Sequence, residues 1–335
     1  QANTTAGNNT AVGFQAGSSN VTGTNNAYFG HNAGQNATSN QIDAFGVQAV
    51  KASTADFNAG FGFLALTTNT SGSFNTALGQ YALTSNTTAS SNTAVGYQSL
   101  YTNTTGAENL AVGNLALYAN TTGSNNVAIG KQALAANTTA SNNTAIGYQS
   151  AINNTTGASI TAVGQNALYS NSTGSNNTAV GLASMQTNTT GGNNSALGQG
   201  ALFANTTGGN NSALGYSALN ANTTASNNTA VGFEALKANT TGSQVTAVGR
   251  QALLANTTGV YNTAVGSNAL AANTTARYNT AVGMESLAAN TTAENNTALG
   301  YRASSANTTG TDNTAVGYRA MPDSTTGSDN TAVGS

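Results

Sequence analysis

Apolar positions recur along this chain on a fixed beat. In Asn92-Thr93-Ala94-Val95-Gly96-Tyr97-Gln98-Ser99-Leu100, followed by Asn103-Thr104-Thr105-Gly106, a branched aliphatic precedes a glycine and a leucine follows that glycine four residues later. The glycine returns every 17 residues from Gly62, Gly79 and Gly96 through to Gly317 and Gly334, and continues upstream at Gly46, Gly30 and Gly13 in steps of 16, 16 and 17. A constant period over a whole chain marks a repeat architecture in which each copy is one supersecondary unit. From residue 74 onward the position before the glycine is always Val, Leu or Ile, as at Leu78, Val95, Val112 and Ile129, and it reads as a core column. Leu83, Leu100, Leu117 and Leu134 begin a second apolar column, in which Met185 and Met321 act as adaptable fillers. The two columns are expected to meet inside each copy.

Thr-Ala-Val-Gly-Tyr alternates as a strand does, and Thr, Val, Asn and Gly are poor helix formers. The sequence therefore predicts an all-β parallel solenoid with one 17-residue coil per repeat and about twenty coils, stacked by strand pairing at about 4.8 Å. Asn103-Thr104-Thr105-Gly106 and its copies read as turns, because Asn and Gly tolerate left-handed dihedrals. Ala89, Ala140, Ala225, Ala276 and Ala293 replace that glycine, so a positive φ is not compulsory there. Small residues such as Ala94, Gly96 and Ser99 imply close backbone approach, within the coil or against another chain. The position after the glycine varies freely (Tyr97, Asn114, Lys131, Gln165, Arg250) and should point outward. Residues 1–73 form irregular, aromatic-rich first coils, read as a cap or junction, and 74–335 form the regular solenoid. Joining Ser335 to Gln1 continues the repeat with one shortened coil, which suggests a piece of a longer filament or end-to-end stacking.

Composition narrows the functional classes. Only 5% of residues are charged, where about 25% is ordinary, and the net charge of -2 offers no basic field for nucleic acid. No apolar run approaches the roughly 18 residues of a membrane span. Cysteine is absent, so there are neither disulfides nor thiolate metal sites. His31 stands alone and reads as a surface or junction residue. Glu108, Glu234, Glu285 and Glu294 are scattered over variable positions, and the many serines have no histidine to activate them, so no enzyme is expected. Asp43, Asp56, Asp312, Asp323 and Asp329 do not recur once per turn as a calcium solenoid requires. Neither catalytic, cofactor nor metal residues are assigned. Asn-Xaa-Thr acceptor patterns are read twice in most coils, as at Asn86 and Asn92, but Asn and Thr are also good turn and ladder residues, which accounts for them without any sugar.

The recurring Thr-Ala-Val-Gly and Val127-Ala128-Ile129-Gly130 resemble the head repeats of YadA-type trimeric autotransporter adhesins. The longer form, with Gly-Tyr-Gln-Ala-Leu and Asn-Thr-Thr-Gly, is similar to repeats of phage tail fibres and related proteins that end in an intramolecular chaperone domain. The resemblance covers nearly the whole chain and implies a left-handed trimeric β-roll projecting from a cell or virion surface, hence an extracellular structural or adhesive fibre segment. The period departs from it, since those heads use a shorter repeat, and the extra Asn-Thr-Thr residues need a larger loop or a wider coil. A coil holding one Val and one Leu buries little, so a second buried face between identical chains is expected, on the small-residue column. Homotrimers or an end-to-end filament are the expected assemblies, with host-surface glycans as further partners through Tyr97, Tyr148, Tyr216, Tyr301 and Tyr318. The alternative is an ice-binding or glycan-binding solenoid. Ice binding would need two outward threonines two residues apart on a flat strand, whereas Thr104 and Thr105 are adjacent.

Overall fold

The computed structural model describes residues 5–334; the expected junction of Ser335 with Gln1 lies outside the described residues. One short strand forms per repeat, from β1 (Thr10–Val12), β2 (Ala27–Phe29), β3 (Ile42–Phe45), β4 (Asn58–Phe61), β5 (Thr76–Leu78) and β6 (Thr93–Val95) to β20 (Thr331–Val333), and there is no helix among the described residues. Sequence neighbours pair in parallel with repeat positions matched, for example Thr76 with Thr93, Ala77 with Ala94 and Leu78 with Val95. A 17-residue offset between partners is the parallel β-solenoid that the period predicts. The chain forms two compact units, one carrying β1 to β10 (Thr161–Val163) and the other β11 (Thr178–Val180) to β20. Each is a ladder of ten parallel strands. The aromatic-rich first coils run into the regular ones without a break, Ala59 pairing with Thr76 and Phe61 with Leu78.

Two of the early coils are one residue short, and the structure places the gap in the turn. Where most coils have Asn-x-x-Gly or Asn-x-x-Ala, these have Ala37-Thr38-Ser39 and Ser53-Thr54-Ala55. Ser39 and Ala55 still present their carbonyls to Asn26 and Asn58 at 3.0 and 2.9 Å. The inward column therefore stays in step although the outer loop has shortened. The corner at Pro322 is also intact, since the Thr308 N–H donates to Thr325 at 2.8 Å and the Ala306 N–H to Pro322 at 3.2 Å.

Hydrogen bonds between coils continue well beyond the strands. The Gln98 N–H donates to Gln80 in the preceding coil at 3.0 Å and the Leu100 N–H to Ala116 in the following one at 2.9 Å, while Ser99 bonds locally to Gly96. Sending near neighbours in opposite directions requires left-handed dihedrals at Gln98 (φ 52), Leu100 (φ 52) and Glu108 (φ 58), and these three corners recur around the ladder. A non-glycine residue there costs about 1–2 kcal/mol. The ladder offsets that cost by leaving few backbone groups unpaired.

The core differs from expectation at one decisive point. Ala94, Ser99, Leu100, Asn92 and Asn103 are all fully buried, whereas Val95 is half-buried on the outside. The branched aliphatic before each glycine, expected in the core, lies on the outer face, and the small residues, expected to offer a surface to other chains, lie inside. Pleat parity is the reason: in a three-residue strand the central side chain points one way and both flanking ones the other. The central residue faces the leucine column across a narrow interior. A Cβ on Gly60, which stands in the alanine column, would come within 2.5 Å of the Val50 Cγ2 methyl in the leucine column.

Tyr28 shows how tightly that width is set. It occupies an alanine position and is buried, and the two leucine positions nearest it are Gly17 and Gly34, whose added Cβ atoms would collide with its ring. Its hydroxyl has no hydrogen-bond partner, and burial pushes the phenol well above its usual range. A phenol held neutral by the fold contributes stability that is whole below the ordinary value of 10.0 and is lost as the pH rises past it. Tyr28→Phe is expected to fold at least as stably at neutral pH and to unfold less readily in alkali than the parent chain, as read by denaturation midpoints from pH 8 to about pH 11. A variant with the parent's full alkaline sensitivity would show that Tyr28 ionisation is not its source.

Two asparagine ladders complete the core. In the turn ladder, Asn103 Nδ2 donates to Asn86 Oδ1 at 3.0 Å and to the Gly106 carbonyl at 2.9 Å. In the strand ladder, Asn92 Oδ1 accepts the Asn109 N–H at 3.0 Å, and Asn109 Nδ2 donates to the Gly123 carbonyl at 2.9 Å. Most of these buried amides are tolerated because their donors and acceptors are met by the coils on either side; Asn92 Nδ2 is an exception and has no partner.

Candidate interaction face

Each three-residue strand presents its first and third residues outward, and the four-residue β3 and β4, which begin one place earlier, their second and fourth. In the unit from β11 to β20 these form two unbroken columns: hydroxyls (Thr178, Ser195, Ser212, Thr229, Thr246 and onward to Thr331) and, beside them, aliphatics (Val180, Leu197, Leu214, Val231, Val248 and onward to Val333). Exposure of the aliphatics reaches 40% at Leu197 and 47% at Leu214. The strand hydroxyls make no hydrogen bond within the described residues, in contrast to Thr104, whose Oγ1 donates to the Thr121 carbonyl at 3.1 Å. The chain carries seven basic and nine acidic residues, and only Asp43 stands in a strand. The face is flat, regular, uncharged apart from that carboxylate, and half apolar.

The first unit puts Leu110 and Val127 in the hydroxyl column of two coils, and it alters both columns in three successive coils. Phe29, Phe45 and Phe61 take the aliphatic positions and stack face to face, with ring centroids 4.7 and 4.8 Å apart and planes within 10°. Ala27, Asp43 and Ala59 take the hydroxyl positions beside them. These phenylalanines occupy the position before the glycine, the column expected in the core. The signal for the opposite assignment was present: the column accepts anything from Val to Phe, while the alanine column beside it admits a larger residue only at Tyr28. Tolerance of size means open space.

Several carboxylates outside the strand face are engaged with neighbouring side chains or backbone. Glu234, Glu285 and Glu294 are taken up in ion pairs with Lys237 (2.6 Å), Arg302 (2.6 Å) and Arg277 (2.9 Å), the last two joining consecutive coils. Lys237 and Gln251 both bond Glu234 and hold its carboxyl below the ordinary value. Asp56 accepts the Asn40 N–H at 2.8 Å. No group of three His, Cys, Asp or Glu residues comes together among the described residues. His31 stacks on Phe14 at 5.2 Å.

The outward tyrosines are engaged with one another rather than standing free. Tyr216 stacks on Phe233 and Tyr301 on Tyr318, Tyr97 meets the edge of Tyr81, and Lys131 lies 6.0 Å over Tyr148. Tyr261 and Tyr278 stack at 5.1 Å with planes 2° apart. Paired rings stacked this way cover one face of each with the other, so a sugar has only the outer faces and edges to use.

The acceptor asparagines divide by burial. Asn86 and its copies are sealed in the turn ladder, and Asn92 is buried and has Ala94 two positions on, outside the acceptor pattern. The asparagine one position before the strand ladder, as in Asn142-Asn143-Thr144 or Asn227-Asn228-Thr229, does match and is exposed. Its left-handed φ of 63° explains Asn there without a sugar.

No family model matches this chain, and no curated protein matches it. The fold defines a parallel β-solenoid repeat protein, and among the described residues the outer side of its strands carries a single charged side chain, Asp43.

Proposed function

We propose that this chain is a structural or adhesive segment of an extracellular fibre, and that copies of it associate through the strand face as a homotrimer of left-handed β-rolls. The observation that carries the reading is an uncovered parallel sheet face bearing a continuous aliphatic column. Parallel sheets are normally covered on both faces, and the core of an interface is depleted of charge, as this face is. Ten strands of about 10 Å at 4.8 Å spacing give roughly 480 Å² of face in each unit. That is more than half of the ~800 Å² per partner of a standard interface. The small-residue column, on which close approach of chains was expected, is enclosed in the coil, so the aliphatic column takes that role. Contacts with other surfaces, host glycans among them, fall to the variable column after the glycine.

Native mass spectrometry tests this reading. The expected species is three times the 33.0 kDa chain. Val231→Lys, Val248→Lys and Val265→Lys in one chain should give a folded monomer, with an unchanged circular dichroism spectrum, because these side chains lie outside the coil. A parent chain that is monomeric at micromolar concentration sinks the proposal. In that case the exposed array of hydroxyls beside aliphatics revives the ice-binding alternative, although each strand offers Thr and Val two residues apart and not two threonines; thermal hysteresis would decide it.

A further inference from the structure

We propose that the aromatic block Phe29, Phe45 and Phe61 sets the register in which copies of this chain associate; the inference rests on the self-association proposed above. Over most of the regular coils the strand face looks the same after a shift of one coil, and such a surface fixes no single alignment between two copies. Register is weakly specified wherever a face lacks distinguishing side chains. The face departs from the pattern where Leu110 and Val127 replace the hydroxyl residue, which adds bulk alone, and at β2 to β4, which alters both columns and so carries a relief of its own.

There the three rings stack along the coil axis, which covers their faces and leaves their edges directed sideways, as a ridge taller than the valines that follow. Beside the ridge, at the same three heights, Ala27, Asp43 and Ala59 replace the usual threonine and form a trough. Ridge and trough are complementary. Bulk stands opposite methyl groups, and the outward Asp43 carboxylate suits a ring edge, which carries the positive end of the aromatic quadrupole. Because both lie at one height on the same chain, the ridge of one copy meets the trough of the next only when copies run parallel and level about an axis parallel to their own. A two-fold antiparallel pair would set aliphatic column against aliphatic column, so the ridge would never face the trough. The partner this surface fits is thus a second copy of the chain, in parallel and in register.

Electron cryomicroscopy of the assembled chain and two variants tests the inference. The parent should show copies with their aromatic coils level. Phe29→Val, Phe45→Val and Phe61→Val together restore the repeat consensus; this chain should still associate by native mass but with copies displaced by multiples of about 4.8 Å. Ala27→Leu with Ala59→Leu fills the trough from outside the coil, leaves the stacked rings in place, and should disturb the register in the same way even if the first variant folds poorly. A parent that is multimeric but staggered, or variants that remain level, would overturn the register assignment while leaving self-association standing. A monomeric parent would remove both.

Discussion

Gly232→Ala should lower stability by about 3 kcal/mol or more, since a side chain is forced into a dihedral region that is essentially glycine-only. Gly232 has φ 136, and an added Cβ would stand 2.5 Å from the Gly249 carbonyl oxygen in the next coil. The same geometry recurs at nearly every glycine of this column, for example Gly113 against Gly130 and Gly249 against Gly266. Neither neighbour can withdraw, because each of those backbones is bonded to the coils on both sides; the Gly249 N–H, for instance, donates to Val231 at 2.7 Å. The turn glycine makes the contrast. Gly208 has no positive φ, and although an added Cβ would touch the Ala225 carbonyl, the chain itself places Ala225 and Ala276 at that position in other coils, both buried. Gly208→Ala should therefore cost under about 1 kcal/mol, within the range of ordinary substitutions. Urea denaturation of the two variants checks both values, and equal losses would show that the column glycine is not conformationally required.

The second large effect is expected from the turn ladder. Asn205 is fully buried; its Nδ2 donates to Asn188 Oδ1 at 2.7 Å and to the Gly208 carbonyl at 2.9 Å, and its Oδ1 accepts from Asn222 Nδ2 at 2.9 Å. Asn205→Ala removes three buried hydrogen bonds at once, although the Gly208 carbonyl keeps Asn194 Nδ2 at 2.9 Å and Asn222 Nδ2 keeps the Ala225 carbonyl at 3.0 Å. At about 0.5–1.5 kcal/mol for each bond lost, the loss should be on the order of 3 kcal/mol. Asn205→Asp keeps the shape but can only accept, and it places a charge where none is compensated, so its loss should be larger still at neutral pH. Hydrogen exchange would locate the damage, with protection lost first in residues 188–222. The chain does dispense with this asparagine at Ala37 and Ser53, where the turn is one residue shorter and closes without it, and at Ser324 in the last turn, where the position is only half-buried. A 17-residue coil with neighbours on both sides has no such compensation. Near-neutral behaviour of Asn205→Ala would mean that water replaces the ladder.

How far the sequence reached can be seen at single residues. The glycine spacing at Gly79, Gly96 and Gly113 determines the coil, the strand before each glycine and the parallel pairing of equivalent positions, because only a one-coil-per-repeat path brings residues 17 apart side by side. It also determines that Tyr97, Asn114 and Lys131 face outward, since no packed position tolerates such variety. What it left open was which side of a three-residue strand is inside. Ala94 and Val95 differ by one place, and hydrophobicity favours burying the valine. The asparagines were equally opaque, since Asn103 signals a turn whether its amide meets solvent or the next coil.

The repeat and the path of the backbone thus belong to the sequence alone, because a period is a property of order along the chain. The interior of the coil was decided only in three dimensions. Its width, set by the leucine opposite and by the hydrogen bonds that clamp one coil to the next, admits a methyl group and rejects an isopropyl group. That constraint turned the valines outward and made a face of what the linear pattern presents as a core.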